Sequence, residues 1–148
     1  MNTVLLPQLI EKYVRTGKVQ LVFRDLHFIG PDSERLGRVA ESMGLQDRLW
    51  QFVELAFEHQ RDENTGYATD AYMTKLLGEI PGTDVHAAFA NRDSTRVTDA
   101  LRGDSEQGDQ LGVEGTPSFF LVRPGQQPRR IELQSLAPSR FARELRSA

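Results

Sequence analysis

Apolar residues recur at helical spacing from the first positions. Leu5, Leu6, Leu9, Ile10, Tyr13 and Val14 share one face and Thr16-Gly17 supplies a stop, which predicts an amphipathic opening helix. Pro7 falls near its first turn, where a missing N–H costs little. Over residues 19–28 the period changes to two. Val19, Leu21 and Phe23 alternate with Gln20, Val22 and Arg24, and the branched and aromatic content predicts a strand. Beyond Gly30-Pro31 the pattern turns helical over 33–43, 45–60, 69–80 and 85–91. Gly44, the polar run 62–66 and Pro81-Gly82 separate these pieces, and Asp32, Thr69 and Asp84 are candidate caps. A further helix, capped by Asp93 or Ser94, runs through Val97, Ala100 and Leu101 towards Leu111. After Gly112, the apolar runs 118–122 and 130–133 flank Pro124-Gly125, a hairpin signal. Residues 138–145, with Phe141 and Leu145 four apart, predict a short closing helix.

Composition narrows what these elements can do. A chain of 148 residues, 39% hydrophobic and 26% charged, suits one domain with its own core, and no apolar run approaches the ~18 residues of a membrane-spanning helix. The net charge is −3 and the basic residues are scattered, which argues against a nucleic-acid partner. The first residues lack a basic and apolar secretory pattern, so the chain as it stands is expected in the cytoplasm, and outside it if a signal or anchor lies upstream. There is no cysteine. Structural disulfides, thiolate nucleophiles and dithiol redox chemistry are therefore excluded within these residues.

The order helix, strand, helical block, Pro-preceded strand, hairpin partner and final helix is that of an α/β thioredoxin-like fold with an inserted helical domain. Particular strings support it. Leu6-Pro7-Gln8-Leu9-Ile10, Tyr13-Val14 and Thr16-Gly17-Lys18-Val19, followed by Leu21-Val22-Phe23-Arg24-Asp25, resemble the helix-to-strand passage of the DsbA-like thioredoxin-fold family. Leu49-Trp50-Gln51-Phe52, Leu55-Ala56-Phe57 and Gly66-Tyr67 look like its inserted helices. The most specific stretch runs from Gly112 to Leu121 and resembles the family's cis-proline loop and the strand after it.

That resemblance implies a single domain over 1–148, in which 1–30 and 112–148 form the thioredoxin-like part and 31–111 the helical insertion. It implies a cis Thr116-Pro117 bond, and a loop of Gly115, Thr116 and Pro117 against which an extended peptide lies. In the family a Cys-x-x-Cys opens the first helix. Here that dithiol and the first strand of the βα unit are both absent, so no catalytic residue is assigned and the chain is expected to be redox-inactive as given. A disulfide-exchange enzyme with its thiols missing is the primary reading, and a non-enzymatic peptide- or protein-binding module using the same loop is its rival.

Other residues have simpler readings beside the sharper ones. Trp50, Phe52, Phe57, Tyr67 and Tyr72 are at the spacing of core between helices, although such a set could also line a groove. His27, His59 and His86 lie in different segments without ligand spacing, so neither a metal nor any other cofactor is implied. Asp25 could assist thiol chemistry in the family context, with surface ion pairing as the ordinary alternative. Arg123, Arg129 and Arg130 form a basic spot at the hairpin turn, of a kind that usually protects an edge. Ser33, Ser94 and Ser118 lack any nucleophile-elbow motif.

Absence of the first strand would leave residues 19–28 without their central neighbour. Three outcomes are open: the sheet closes on itself, a second copy pairs with the open edge as a homodimer, or upstream residues supply the strand. The abrupt opening helix favours the upstream strand, with the second copy next.

Overall fold

The structure, a computed structural model, describes residues 10–131 together with positions 8, 139, 142, 143 and 145. The chain divides into two compact units, Arg24–Gln110 and the pair of segments Met1–Phe23 and Leu111–Ala148.

The first of these is helical. Five helices follow one another: α1 (Pro31–Gly44), α2 (Leu49–Glu58), α3 (Asp70–Gly78), α4 (Val85–Asn91) and α5 (Thr95–Gln110). α1 is the hub and packs on α2, α4 and α5. The buried apolar positions of this unit are Val39, Ala40 and Met43 of α1, Phe52 and Val53 of α2, Met73, Leu76 and Leu77 of α3, Ala88 of α4, and Val97 and Leu101 of α5. In α1, α3 and α5 their spacings of three and four put them on one side of the helix. The buried Ser42 hydroxyl donates to the Ala88 carbonyl at 2.7 Å, tying α1 to α4.

Three of the candidate caps act as caps. Thr69 accepts from the Tyr72 amide at 3.1 Å, Asp84 from the Ala87 amide at 2.9 Å and Ser94 from the Val97 amide at 3.4 Å. Asp32 does something else. It lies inside the first turn of α1, which starts after Gly30, and its buried carboxylate accepts the amides of Gly66 (2.9 Å) and Ala68 (3.3 Å). A residue read as a local cap therefore anchors a loop more than 30 positions away. The aromatic set also separates. Phe52 is fully buried, whereas Phe57 is 51% exposed, and Tyr67 and Tyr72 meet edge-to-face at 5.3 Å with Arg61 over the Tyr72 ring.

In the other unit, residues Ile10–Val14 form a π-helical turn closed by the Arg15 amide on the Ile10 carbonyl. The expected opening helix is present over these residues in the wider form, and the turn ends at Gly17, whose φ of 70° only glycine adopts freely. The Thr16 hydroxyl donates to the Lys12 carbonyl, satisfying an acceptor that the ending helix would otherwise leave open. Leu5, Leu6, Pro7 and Leu9 lie outside the described residues.

Residues 19–27 form no ladder with any described residue. The strand expectation is corrected to an unassigned run, because alternation predicts a face to bury but a strand also requires a hydrogen-bonded neighbour. The hairpin forms a short antiparallel pair, β1 (Phe120–Leu121) and β2 (Arg129–Arg130), with Phe120 opposite Arg130 and Leu121 opposite Arg129. Its turn is closed by the Gln126 amide on the Arg123 carbonyl, with Pro124 and Gly125 (φ 73°) at the central positions of a type II geometry. Ile131 is buried at the centre of this unit, with Tyr13, Leu21, Phe119, Leu121 and Leu145 packed around it. Of the closing segment, Ser139, Ala142, Arg143 and Leu145 are helical, while Phe141 lies outside the described residues.

Candidate functional site

The stretch 112–118 feeds directly into β1. Gly112 takes a φ of 64°, which turns the chain out of the α5 region, and the Thr116–Pro117 peptide is cis. Thr116 and Pro117 are exposed and Gly115 is half-buried. Three hydrogen bonds hold the loop from behind. The Ser118 hydroxyl donates to the Gly115 carbonyl at 2.7 Å, and Arg130 donates from Nη1 to the Gly112 carbonyl at 3.3 Å and from Nη2 to the Ser118 hydroxyl at 3.1 Å. The same guanidinium lies 5.9 Å from the Phe120 ring centroid, so packing against an aromatic face orients it. Ile131 completes the support, its amide donating to the Phe119 carbonyl at 2.9 Å.

The loop keeps an open side. Among the described residues, Thr116 makes no backbone hydrogen bond, and a Cβ built on Gly115 meets nothing within 4 Å. Free peptide groups beside open space are what an extended chain needs to pair in β fashion. The three residues singled out from sequence, Gly115, Thr116 and Pro117, thus lie together. Their two supports, Ser118 and Arg130, were not singled out as such. Sequence places Arg130 with Arg123 and Arg129 in a basic spot, and what distinguishes it is its register opposite Phe120.

A second group of polar side chains lies in the helical unit. Asp25 receives a contact from His27 Nδ1 at 3.2 Å, and its own amide donates to Asp104 Oδ2 at 2.9 Å. Asp104 Oδ1 accepts from Arg24 at 2.9 Å, and Glu41 stands close enough to feel both aspartates. Burial raises the Asp25 carboxyl above its ordinary range, opposed by His27 and reinforced by Asp104. Glu41 is raised for the same first reason, then by Asp104 and Asp25. Asp25 is consequently a mostly buried acid, 16% exposed at its side chain, rather than one half of a surface ion pair. Glu41 and Asp104 were missed in sequence because their neighbours are brought to them by folding. No trio of His, Cys, Asp or Glu among the described residues is placed to hold a metal ion, and no helix among them is long and apolar enough to cross a membrane.

A cis-proline leading into a strand of an antiparallel hairpin is the arrangement expected of a thioredoxin-like fold. Comparison with solved structures agrees. The oxidised crystal structure of BdbD from Bacillus subtilis matches with a TM-score of 0.81 at 17% identity, covering 99% of this chain and 77% of that one. The family model described as Thioredoxin matches residues 1–123, and the chain belongs to that family. Two curated relatives are named "Probable disulfide bond formation protein D". The one from Bacillus anthracis is 29% identical over 123 residues and the one from Bacillus cereus 28% over the same length. Each alignment takes in 81% of this chain and 57% of the relative, so the chain spans little more than half the length of the relatives it matches.

Proposed function

We propose that this chain carries the client-holding part of a DsbA-like disulfide-exchange scaffold and contributes no redox step through its own residues. Exchange requires a thiolate to attack a disulfide sulfur, and none of the 148 residues is a cysteine. Any thiol acting at this scaffold must come from outside them. What the chain does offer is an edge for an extended peptide at Gly115, Thr116 and Pro117. The observation that carries this reading is the open side of the loop, where, among the described residues, the Thr116 backbone has no hydrogen-bond partner and a Cβ on Gly115 would meet nothing within 4 Å. Main-chain pairing of this kind recognises unfolded or extended segments with little regard to side chains, which suits a protein acting on many clients.

Two measurements test it. Reduction of insulin disulfides by the purified chain with dithiothreitol should not exceed the rate with dithiothreitol alone, and acceleration would refute the redox-silent part. A fluorescein-labelled, cysteine-free extended peptide should bind with an anisotropy change that weakens at least several-fold in Gly115→Val, whose side chain would occupy the free space. Unchanged binding in a folded Gly115→Val protein would remove the loop from the reading.

A further inference from the structure

The chain passes between its two units twice, after Phe23 and after Gln110. Within the helical unit one buried side chain reaches towards both passages. Asp104, only 6% exposed, lies on the penultimate turn of α5, the helix that ends at the outgoing passage. Its Oδ1 accepts from Arg24 Nη1 and its Oδ2 from the Asp25 amide, both at 2.9 Å, and these are the first two residues after the incoming passage. One turn further along α5, Gly108 leaves room for Leu26: a Cβ there would come within 3.1 Å of Leu26 Cδ1. On the opposite flank Gly37 of α1 makes room for the Asp25 carboxylate, which His27 also contacts. Residues 24–26 are thereby laid along the last two turns of α5.

We propose that Asp104 is a latch that fastens the incoming passage to the outgoing one, so that the two crossings loosen together and not one at a time. The bonds it makes span 79 and 80 positions, so each closes a loop of almost the whole helical unit. A carboxylate this buried is held by charge-assisted bonds from a guanidinium and a peptide N–H, and its loss leaves the Asp25 amide without a partner. The latch is independent of what the Gly115–Pro117 loop binds.

Native-state hydrogen exchange on the full chain tests it. In the unaltered protein, the amides of residues 24–28 and of 105–110 should exchange through a common opening. Asp104→Asn keeps the shape but loses the charge, and should speed exchange in both stretches together by roughly tenfold or more, the loss expected for a charged hydrogen bond. α2 and α3, packed on one another, should keep their rates. Arg24→Gln, at a side chain 60% exposed and so outside the core, should produce a smaller rise in the same two stretches. Acceleration confined to 24–28, a uniform rise across all five helices, or no change in either variant would each overturn the latch.

Discussion

Asp25 and Glu41 lie in surroundings that disfavour their charge. Burial comes first for both, and the neighbours that reinforce or oppose it are Asp104, His27 and Arg24, with Asp25 also raising Glu41. In the unfolded chain these carboxyls return to ordinary values of 3.8 and 4.5, while the folded values lie higher. Between the two the folded state binds more protons, so this contribution to stability is complete below the unfolded values and is lost as pH rises through the folded ones. Urea midpoints measured from pH 4 to pH 7 should therefore fall, relative to those of Asp25→Asn, as the pH rises. Parallel curves for the two proteins would show that Asp25 titrates alike in both states. Gly37 belongs to the same neighbourhood. Alanine in a helix interior normally gains about 1 kcal/mol over glycine, but here the added Cβ would collide with the Asp25 carboxylate. Gly37→Ala should lower stability by about 1 kcal/mol or more, and in an Asp25→Ala background the same change should become neutral or favourable. Thermal melts of the four proteins in that cycle decide it.

At the scale of elements, what was legible in the sequence is what local chemistry decides. α4 covers the residues 85–91 that the pattern marks out, because Asp84 caps it and the turn at Pro81-Gly82 precedes it. The hairpin follows from Pro124-Gly125 in the same way. Residues 19–28 show the opposite case, since alternation names a face but pairing needs a neighbour that no local pattern supplies. Asp32 and Asp104 are hidden for a related reason, as their partners lie 34 to 80 positions away. The candidate loop was readable because it is contiguous, whereas its buttress Arg130 reaches back 18 positions to Gly112. The aromatic residues make the distinction measurable. Helical spacing alone treats Phe52 and Phe57 alike, but only Phe52 is enclosed. Phe52→Ala should cost about 3–5 kcal/mol, against about 0.5 kcal/mol or less for Phe57→Ala, read as shifts in denaturant midpoint at constant slope.

At the scale of the whole molecule, each unit has a core of its own. Phe52, Met43, Met73 and Leu77 enclose the helical unit, while the hairpin side is centred on Ile131 with Tyr13, Leu21, Phe119, Leu121 and Leu145. Those two sets share no residue, so damage to one core should register first in its own unit. Ile131→Ala removes the buried centre of the hairpin side and should cost that unit about 2–5 kcal/mol. The sole tryptophan, Trp50, lies in α2 and reports on the helical unit by fluorescence. Amide protection at Phe119–Ile131 reports on the other. In Ile131→Ala the amide protection should fall at denaturant concentrations where Trp50 emission still shows the native state. A single coincident transition, shifted equally for both reporters, would mean that the two cores fold as one cooperative body. The separation matters for the proposed activity, because the loop at Gly115–Pro117 continues into the strand that packs on Ile131. Its open edge then depends on the side chains clustered at Ile131, and weakening of peptide binding in Ile131→Ala should track the loss of hairpin protection and not the Trp50 signal.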